Sequence, residues 1–244
     1  MTRIAFISDI HSNYEALTAI LSRLDREGYD MLLCLGDIVG YGASPNECVS
    51  LVREREIPCV LGNHDEYATL LMDPSIGRLR EDVQHSIGWT QENLSMDAIK
   101  WLAMLPERLE VENEFIALHS SFAARWGYCR NEETFEANFK RQPCRLAFCG
   151  HSHTPLIGVE VPGHQPFVDF IHDTPIPQSG KVMVNVGSVG QPRDHNPYAC
   201  ACIYELESGV VSIVRERYDI ETSQAKIRAA GLPERFALRL GVGR

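Results

Sequence analysis

A strand that runs directly into metal-binding residues is encoded by the stretch Ile4-Ala5-Phe6-Ile7-Ser8-Asp9-Ile10-His11. A continuous apolar run of this kind is typical of a strand that is buried on both faces of its sheet. Asp9 and His11 lie two residues apart, so a strand-like backbone would direct both side chains toward the same side. The stretch therefore predicts a buried strand that ends in a pair of metal ligands.

Four further motifs follow apolar runs in the same way. They are Gly36-Asp37, Gly62-Asn63-His64-Asp65, the single residue His119, and Gly150-His151-Ser152-His153. Loops at the carboxyl ends of strands in an open α/β sheet converge on one edge, where ligands bind. Each motif alone is more often a turn or a surface loop than a ligand set. Because five of them follow strands, we expect one site that combines Asp, Asn and His.

The order of elements in the first part of the chain predicts an α/β fold. Strands are expected at residues 4–8, 31–35 and 59–61. A capping-box pattern at Ser12 and Glu15 predicts the first helix, and Ser44-Pro45 predicts the start of the second. This alternation of strand and helix predicts parallel pairing.

The remaining segments give a mixed pattern. Residues from about Glu66 to Pro106 have helical spacing, which predicts a helical excursion that packs beside the sheet and overhangs the site. Strands are expected at 115–118, 146–149 and 182–186, a hairpin at 199–217, and a last helix from Glu221 to about Ala230. No linker or repeat divides the chain, so we expect a single domain over residues 1–244.

Composition restricts the classes of partner. The formal net charge of −10 argues against a protein that binds duplex nucleic acid, which needs a basic face. The apolar run at the amino terminus is too short for a signal peptide or a membrane span, so we expect no membrane partner and a cytoplasmic location. The 8 cysteines are then expected to be reduced thiols. The sequence leaves the oligomeric state open.

The ligand types indicate two transition-metal ions. Imidazole nitrogens and carboxylate or amide oxygens without thiolate suit Mn, Fe, Zn, Ni or Co better than Mg or Ca. Asp37 can use both carboxylate oxygens and bridge two ions. Two ions about 3.5–4 Å apart can clamp a phosphoryl group and share one hydroxide as the nucleophile. Hydrolysis of a phosphate ester is therefore the leading hypothesis.

A catalytic pair is expected beside the ligands. His64 follows Asn63 directly, and adjacent residues in a turn need not face the same way. We therefore expect Asn63 to bind metal and His64 to face the substrate. His64 could protonate the leaving oxygen or stabilise charge on the phosphoryl group, with Asp65 orienting its ring.

The ordered set of motifs from Asp9 to His153 resembles the calcineurin-like metallophosphoesterase superfamily. The stretch Asn185-Val186-Gly187-Ser188-Val189-Gly190-Gln191-Pro192-Arg193-Asp194 resembles a compact prokaryotic, phosphodiesterase-like branch of it. Many members of the superfamily have a second acidic residue soon after Gly-Asp, where this chain has Ile38-Val39-Gly40-Tyr41-Gly42. This segment is similar to the one found in the same compact branch.

The resemblance implies a two-sheet β-sandwich flanked by helices. It implies that one metal is held by Asp9, His11, Asp37 and His153, and the other by Asp37, Asn63, His119 and His151. It also implies that His64 is the catalytic histidine with Asp65 as its partner. Superfamily activities include phosphomonoesterase, phosphodiesterase, nucleotide hydrolase and nuclease, so the resemblance leaves the substrate open.

Three residues outside the motifs are candidates for substrate contact. The planar guanidinium of Arg193 fits two phosphate oxygens, and the alternative is an ion pair with Asp194 or another carboxylate. His195 lies in the same loop and is expected near substrate. Asn13 either reaches substrate or only assists the helix start. The aromatic residues of segment 120–128 either line the substrate pocket or serve packing.

The preferred function is a dinuclear phosphoesterase for a small phosphorylated substrate, such as a nucleotide or dinucleoside polyphosphate. A protein Ser/Thr phosphatase is the alternative within catalysis and requires an open groove. A non-catalytic scaffold of the same fold would be expected to lose ligands or His64, and both are present. A nucleic-acid enzyme would need a basic groove and an accessory domain, and the sequence indicates neither.

Overall fold

The computed structural model describes residues 1–70, 74–111 and 114–244. Its strands are β1 Arg3–Ile7, β2 Met31–Cys34, β3 Arg108–Val111, β4 Phe115–Leu118, β5 Leu146–Cys149, β6 Pro155–Glu160, β7 Phe167–Phe170, β8 Thr174–Pro175, β9 Lys181–Val186, β10 Ala199–Glu205 and β11 Val210–Glu216. Its α-helices are α1 Tyr14–Glu27, α2 Pro45–Glu54, α3 Asn63–Thr69, α4 Glu81–Asn93, α5 Met96–Leu102, α6 Glu132–Phe139, α7 Ile220–Ala229 and α8 Glu234–Leu240, with a 3-10 turn at Ile76–Arg78.

The strands form two mixed sheets. The first has the order β2-β1-β10-β11-β8, in which only β1 and β2 are parallel. The second has the order β3-β4-β5-β9-β6-β7, with a parallel centre of β4, β5 and β9 and antiparallel pairs toward both edges. The predicted fold class, an α/β two-sheet sandwich flanked by helices, is confirmed.

The core lies between the two sheets. Successive residues of a strand point to opposite faces, so β1 contributes Phe6 to the layer between the sheets and Ile7 to the layer beneath the helices. The ring of Phe6 stacks on Phe148 of β5 with centroids 4.1 Å apart and meets Phe115 edge-on at 5.5 Å. These aromatic contacts join β1 of the first sheet to β4 and β5 of the second.

Helices cover the outer face of each sheet. Helix α1 buries Leu17, Ile20 and Leu24 on one stripe at helical spacing, and this stripe packs against the first sheet. Helix α6 buries Phe135 and Phe139 against the second sheet. The layers therefore follow the order helix, sheet, sheet, helix, and the central strands are buried on both faces as the sequence predicts.

Helices also fill the predicted excursion between residues 66 and 106. Helices α3, α4 and α5 and the 3-10 turn lie there, while residues 71–73 fall outside the described part of the chain. The prediction of a third strand at residues 59–61 is wrong. Only one parallel bridge forms, between Cys34 and Cys59. Pro58 has no N–H to donate, and α3 begins at Asn63, so the pairing cannot extend.

The cap of α1 differs from the predicted capping box. Asn13 is the cap residue, because its Oδ1 accepts from the N–H of Ala16 at 3.1 Å. The Ser12 N–H instead donates to Ile38 O at 3.0 Å, which holds Ser12 in the preceding loop. The Asn13 side chain also donates to Gly190 O at 2.9 Å and accepts from Ser223 Oγ at 2.9 Å. Asn13 thus ties three segments together.

The carboxy-terminal helices pack beside the first loops. Phe236 of α8 is buried and lies 4.8 Å from the ring of Tyr41, measured between centroids. The sequence indicates α7 but not α8, which is short and follows the break at Gly231-Leu232-Pro233. Within the ranges described, no helix is both long enough and apolar enough to cross a bilayer. All eight cysteines are free thiols.

We predict that Asn13→Ala lowers the free energy of unfolding by about 1–2 kcal/mol, because the helix loses its cap and buried partners lose a hydrogen bond. Urea denaturation followed by circular dichroism measures this change. Ser44→Ala is the matched control, since Ser44 occupies the cap position of α2 without a side-chain capping bond. Equal stability of the two variants would contradict the role of Asn13.

Candidate metal centre

All seven predicted metal ligands are buried at one end of the two sheets. Asp9 and His11 follow β1, and Asp37 follows β2. The ligands from the second sheet follow β4 and β5, and Asn63 opens α3 after the Cys34–Cys59 bridge. The structure therefore brings together the complete predicted set: Asp9, His11, Asp37, Asn63, His119, His151 and His153.

One group of ligand atoms surrounds a common point near β1. His11 Nε2 lies 3.1 Å from His153 Nε2, and His153 Nε2 lies 3.3 Å from Asp9 Oδ1. His11 Nε2 is also 3.6 Å from Asp37 Oδ2. Asp9, His11 and His153 offer ligand atoms that all lie within 4.8 Å of one another. This spacing fits one metal ion.

A second group surrounds His119. Its Nε2 lies 3.2 Å from His151 Nδ1, 3.2 Å from Asn63 Oδ1 and 3.3 Å from Asp37 Oδ2. The same oxygen of Asp37 therefore faces both groups, at 3.3 Å from His119 and 3.6 Å from His11. A carboxylate in this position fits the bridging role that the sequence predicts.

Backbone carbonyls set the orientation of the four imidazoles. In each ring, the nitrogen that faces away from the site lies 2.6–3.2 Å from a carbonyl oxygen. A carbonyl can only accept, so this nitrogen carries a proton, and in a neutral ring the nitrogen that faces the site then has a free lone pair. The pairs are His11 with Val39, His119 with Leu35, His151 with Trp126, and His153 with Gln191.

This orientation makes a cation the natural partner of the site. Two lone pairs 3.1 Å apart repel each other, and a metal ion between them converts the repulsion into coordination. Burial lowers the pKa of His11 and His153 well below the usual value and that of His151 to about 3, so these rings stay neutral. The donor set therefore fits metal ions.

His119 shows how the site compensates without a metal. Burial lowers its pKa, but the neighbouring Asp37 outweighs that effect and raises it to about 10. The resulting proton would lie on Nε2, between His119 and Asp37 Oδ2. A bound metal ion would displace this proton, as metal binding to histidine generally does.

The backbone at the ligands has a left-handed conformation, which differs from the strand-like geometry expected for Asp-Ile-His. Asp9, His11, Asp37, His151 and His153 have φ between 49° and 67°. This region costs a non-glycine residue about 1–2 kcal/mol. Five such residues in one site indicate that the packing around them is strong enough to hold tight turns.

Two glycines make this packing possible. A Cβ on Gly62 would lie 2.2 Å from Asp37 N, and one on Gly150 would lie 1.9 Å from Ser8 Oγ. Any side chain at these positions would push the ligand loops apart. The motif glycines are therefore required by close approach, which explains why they precede Asn63 and His151.

His64 lies beside the two ligand groups on the side of a cavity. Its ring centroid is 5.0 Å from that of His11 and 4.4 Å from that of Tyr41. Burial lowers its pKa to about 4, so the ring is neutral at neutral pH. The Nδ1 atom is buried without a hydrogen-bond partner, and the residue lines the cavity.

The predicted pairing of Asp65 with the ring of His64 is wrong. The Asp65 carboxylate accepts from the N–H groups of Ile38 at 2.8 Å, Val39 at 3.1 Å and Gly62 at 3.0 Å. Asp65 lies in the first turn of α3, so its side chain folds back toward the start of the helix. It positions the loop after Asp37 and does not orient His64.

The three candidate substrate contacts have different outcomes. Arg193 lies at the cavity, and Asp194 pairs with Arg215 instead, so the alternative pairing of Arg193 with Asp194 does not form. His195 is exposed and accepts from Arg244 Nε at 3.1 Å, outside the cavity lining. The hydrogen bonds of Asn13 agree with its alternative role at the helix start, and the position of His195 outside the cavity lining does not support substrate contact.

The cavity beside His64 has a volume of about 410 Å³. Tyr128, from the aromatic segment after His119, lines it and stacks on His151 with centroids 4.2 Å apart. Sequence reasoning missed most of the wall, because it comes from α4, α8 and the segments beside them. The lining residues are Tyr41, Asn63, His64, Tyr67, Leu79, Arg80, Val83, Tyr128, Arg130, Arg193, Arg235, Phe236 and Arg239.

Comparisons with known proteins agree with this geometry. The calcineurin-like phosphoesterase superfamily domain matches residues 2–209. An uncharacterized protein of Methanocaldococcus jannaschii is 38% identical over 250 residues, which span 99% of this chain and 98% of that protein. The crystal structure of a metallophosphoesterase from Sphaerobacter thermophilus is 35% identical with a TM-score of 0.84, covering 100% of this chain and 99% of that one.

A third similarity concerns the fold alone. A hypothetical protein from Pyrococcus horikoshii has a crystal structure that is 22% identical, with a TM-score of 0.80. The comparison covers 100% of this chain and 99% of that one. The two-sheet arrangement is thus retained at low sequence identity.

We predict that metal ions stabilise the folded chain. Protein stripped with a chelator should gain about 2.7 kcal/mol when Mn²⁺ is restored at 100 times its dissociation constant, because unfolded chain lacks the assembled site. Thermal unfolding measures the gain. His119→Ala should lose the share contributed by the ion that His119 would hold, whereas the matched control His195→Ala should keep the full gain. A metal-independent melting temperature in the parent protein would contradict the prediction.

Proposed function

The chain belongs to the calcineurin-like phosphoesterase superfamily, and from that premise we propose that it is a dinuclear metal-dependent phosphoesterase acting on a small phosphorylated substrate. The observation that carries the proposal is the pair of ligand groups that share Asp37 Oδ2. A structural metal site would be closed by its protein ligands. Here the two groups adjoin a cavity that His64 and Asn63 also line.

The ligand groups divide the donors between two ions. Asp9, His11, Asp37 and His153 would hold one, and Asp37, Asn63, His119 and His151 would hold the other. When bound, transition-metal ions such as Mn, Fe, Zn, Ni or Co would polarise the phosphoryl oxygens and generate a hydroxide nucleophile near neutral pH. The identity of the metals is not determined by this donor set, since all five accept nitrogen and oxygen ligands.

His64 would act on the leaving group. As a neutral imidazole that lines the cavity, it would donate a hydrogen bond from a ring nitrogen to a phosphoryl or leaving oxygen. A substrate with negative charge beside the ring would raise its pKa and make proton transfer to the leaving oxygen easier. Arg193, whose guanidinium carbon lies 6.0 Å from the centroid of the Tyr41 ring, lines the same cavity and would bind phosphate oxygens of the substrate.

The shape of the cavity favours a small molecule over a protein loop. Helices α4 and α8 contribute to its wall, and its volume of about 410 Å³ is within the range of small-molecule sites. A scaffold that had lost catalysis would not be expected to retain seven converging ligands and a buried His64. An esterase of small phosphorylated substrates therefore accounts for more of the structure than either alternative.

We predict that metal-stripped protein is inactive and that Mn²⁺, Ni²⁺, Co²⁺ or Zn²⁺ restores hydrolysis. The assay compares a chromogenic phosphodiester, a phosphomonoester and dinucleoside polyphosphates, and turnover of one class over the others identifies the subclass. Absence of turnover with every metal, in protein that holds two ions per chain, would favour the scaffold and contradict the proposal.

We predict that Asp37→Asn and His64→Ala separate metal binding from catalysis. Asp37→Asn should lower metal content and abolish turnover, because the shared carboxylate is lost. His64→Ala should keep both ions and lose about 10²–10⁴-fold in kcat on substrates with poor leaving groups, the usual contribution of general acid–base catalysis. Metal analysis and kinetics on the same samples test both. Full activity of His64→Ala on every substrate would refute its role.

A further inference from the structure

Arginines contribute a large part of the cavity wall. Five of them line it, although the whole chain has a formal net charge of −10. Two come from α8, and the others come from segments before α4, after β9 and beside Tyr128. They are Arg80, Arg130, Arg193, Arg235 and Arg239, which we call the arginine wall.

Acidic side chains balance only part of this charge. Asp82 pairs with Arg235 at 2.6 Å and with Arg80 at 3.3 Å, so one carboxylate serves two arginines. Within the described ranges, no Asp or Glu forms an ion pair with Arg130 or Arg193. Elsewhere on the surface, arginines such as Arg55 have a carboxylate of their own.

Arg193 has an unused donor in the middle of the wall. Its Nη2 donates to Gln191 Oε1 at 2.9 Å, while its Nε is buried without a hydrogen-bond partner. A buried donor without a partner is destabilising, and more so when the group is charged. An anion in the cavity would supply the missing acceptor.

The positive charges of the arginine wall also repel one another. Burial, followed by repulsion from Arg193, lowers the pKa of Arg239 to about 10. The protein therefore maintains several neighbouring cations at a cost, in a cavity that is partly shielded from water. Such a cost is offset when a multiply charged anion binds, because guanidinium groups form paired hydrogen bonds to phosphate.

The arginine wall and the metal centre open into one cavity. Asn63, a metal ligand in the proposed function, and His64 line the same space as Arg235 and Arg239. A phosphoryl group at the metals would already have its charge neutralised there. The arginine wall is thus available for a different anionic group of the same molecule.

We propose that the arginine wall binds a second phosphate group of the substrate, so that this site acts on esters that carry at least two phosphate groups. The inference rests on the proposed function, because it places the phosphate that is cleaved at the metal centre. The inference adds that the arginine wall recognises the rest of the substrate through its negative charge. The wall then determines substrate choice, while the metal centre determines the reaction.

The test compares two substrates that differ by one phosphate. The nitrophenyl ester of thymidine 5′-phosphate and the same ester with an added 3′-phosphate release the same chromophore from the same bond. The Mn²⁺-loaded parent protein should have a kcat/KM at least about tenfold higher for the 3′-phosphorylated ester, equivalent to about 1.4 kcal/mol of additional binding. A ratio near one in the parent protein would overturn the proposal.

Variants then locate the source of the preference. The double variant Arg235→Gln with Arg239→Gln should reduce the preference at least about fivefold, because both cations leave α8. Arg26→Gln is the matched control, since Arg26 lies on α1 and pairs with Glu216. A double variant that keeps the parent preference would overturn the proposal. If circular dichroism shows that the double variant does not fold, Arg130→Gln replaces it. The same loss of preference is expected, and an unchanged preference would again overturn the proposal.

A binding measurement separates this proposal from the proposed function. Calorimetry with thymidine 3′,5′-bisphosphate and Mn²⁺-loaded protein does not require turnover. The parent protein should bind about tenfold more tightly than the double variant at low salt, and the difference should shrink as salt screens the charges. Tight binding without hydrolysis of any ester would support the wall and refute the enzyme. Equal affinity of parent and variant would overturn the wall alone.

Discussion

The structure depends on bringing lone pairs of four imidazoles and one shared carboxylate into contact inside a buried site. His11 and His153 face each other at 3.1 Å, and His119 and His151 at 3.2 Å, with Asp37 between the pairs. Backbone carbonyls bind the outer nitrogens and keep the inner ones free. A proton on His119 compensates one pair beside Asp37, and metal ions would bind the lone pairs of the other inner nitrogens.

This requirement explains much of the surrounding backbone. The ligands come from strands of both sheets, so the sheets must pack with their carboxyl ends aligned, which the Phe6–Phe148 stack supports. The ligand loops must then turn within a few residues, and Asp9, Asp37 and His151 adopt left-handed conformations to do so. Gly62 and Gly150 allow the ligand loops to approach closely, because a Cβ at either position would clash with the neighbouring loop.

The metal ligands could be predicted from sequence because each lies next to the strand that positions it. An apolar run predicts the strand that positions the ligand, and the Asp or His that follows it is the metal-binding side chain. Features that depend on distant contacts could not be predicted in this way. Ser12 is not the cap residue, because its N–H donates to the carbonyl of Ile38 and holds it in the preceding loop. The Asp65 carboxylate accepts from the N–H of Ile38, in the loop that follows Asp37.

The arginine wall is a second feature that could not be predicted from sequence, because it also depends on distant contacts. Arg235 and Arg239 reach the site only because α8 packs its Phe236 on Tyr41, almost 200 residues away in sequence. No periodicity in the chain indicates that contact. The whole chain has a formal net charge of −10, whereas the lining of this cavity is rich in arginine. Net charge argued against duplex nucleic acid as a partner but gave no information about the charge inside the cavity.

The central claim is that two metal ions lie within about 4 Å of each other and share Asp37. Electron paramagnetic resonance of the protein loaded with two equivalents of Mn²⁺ tests it most directly. The account predicts the spectrum of an exchange-coupled pair, which Asp37→Asn should abolish. The spectrum of isolated Mn²⁺ at full loading would contradict it, since the ions would then occupy separate sites without a common ligand.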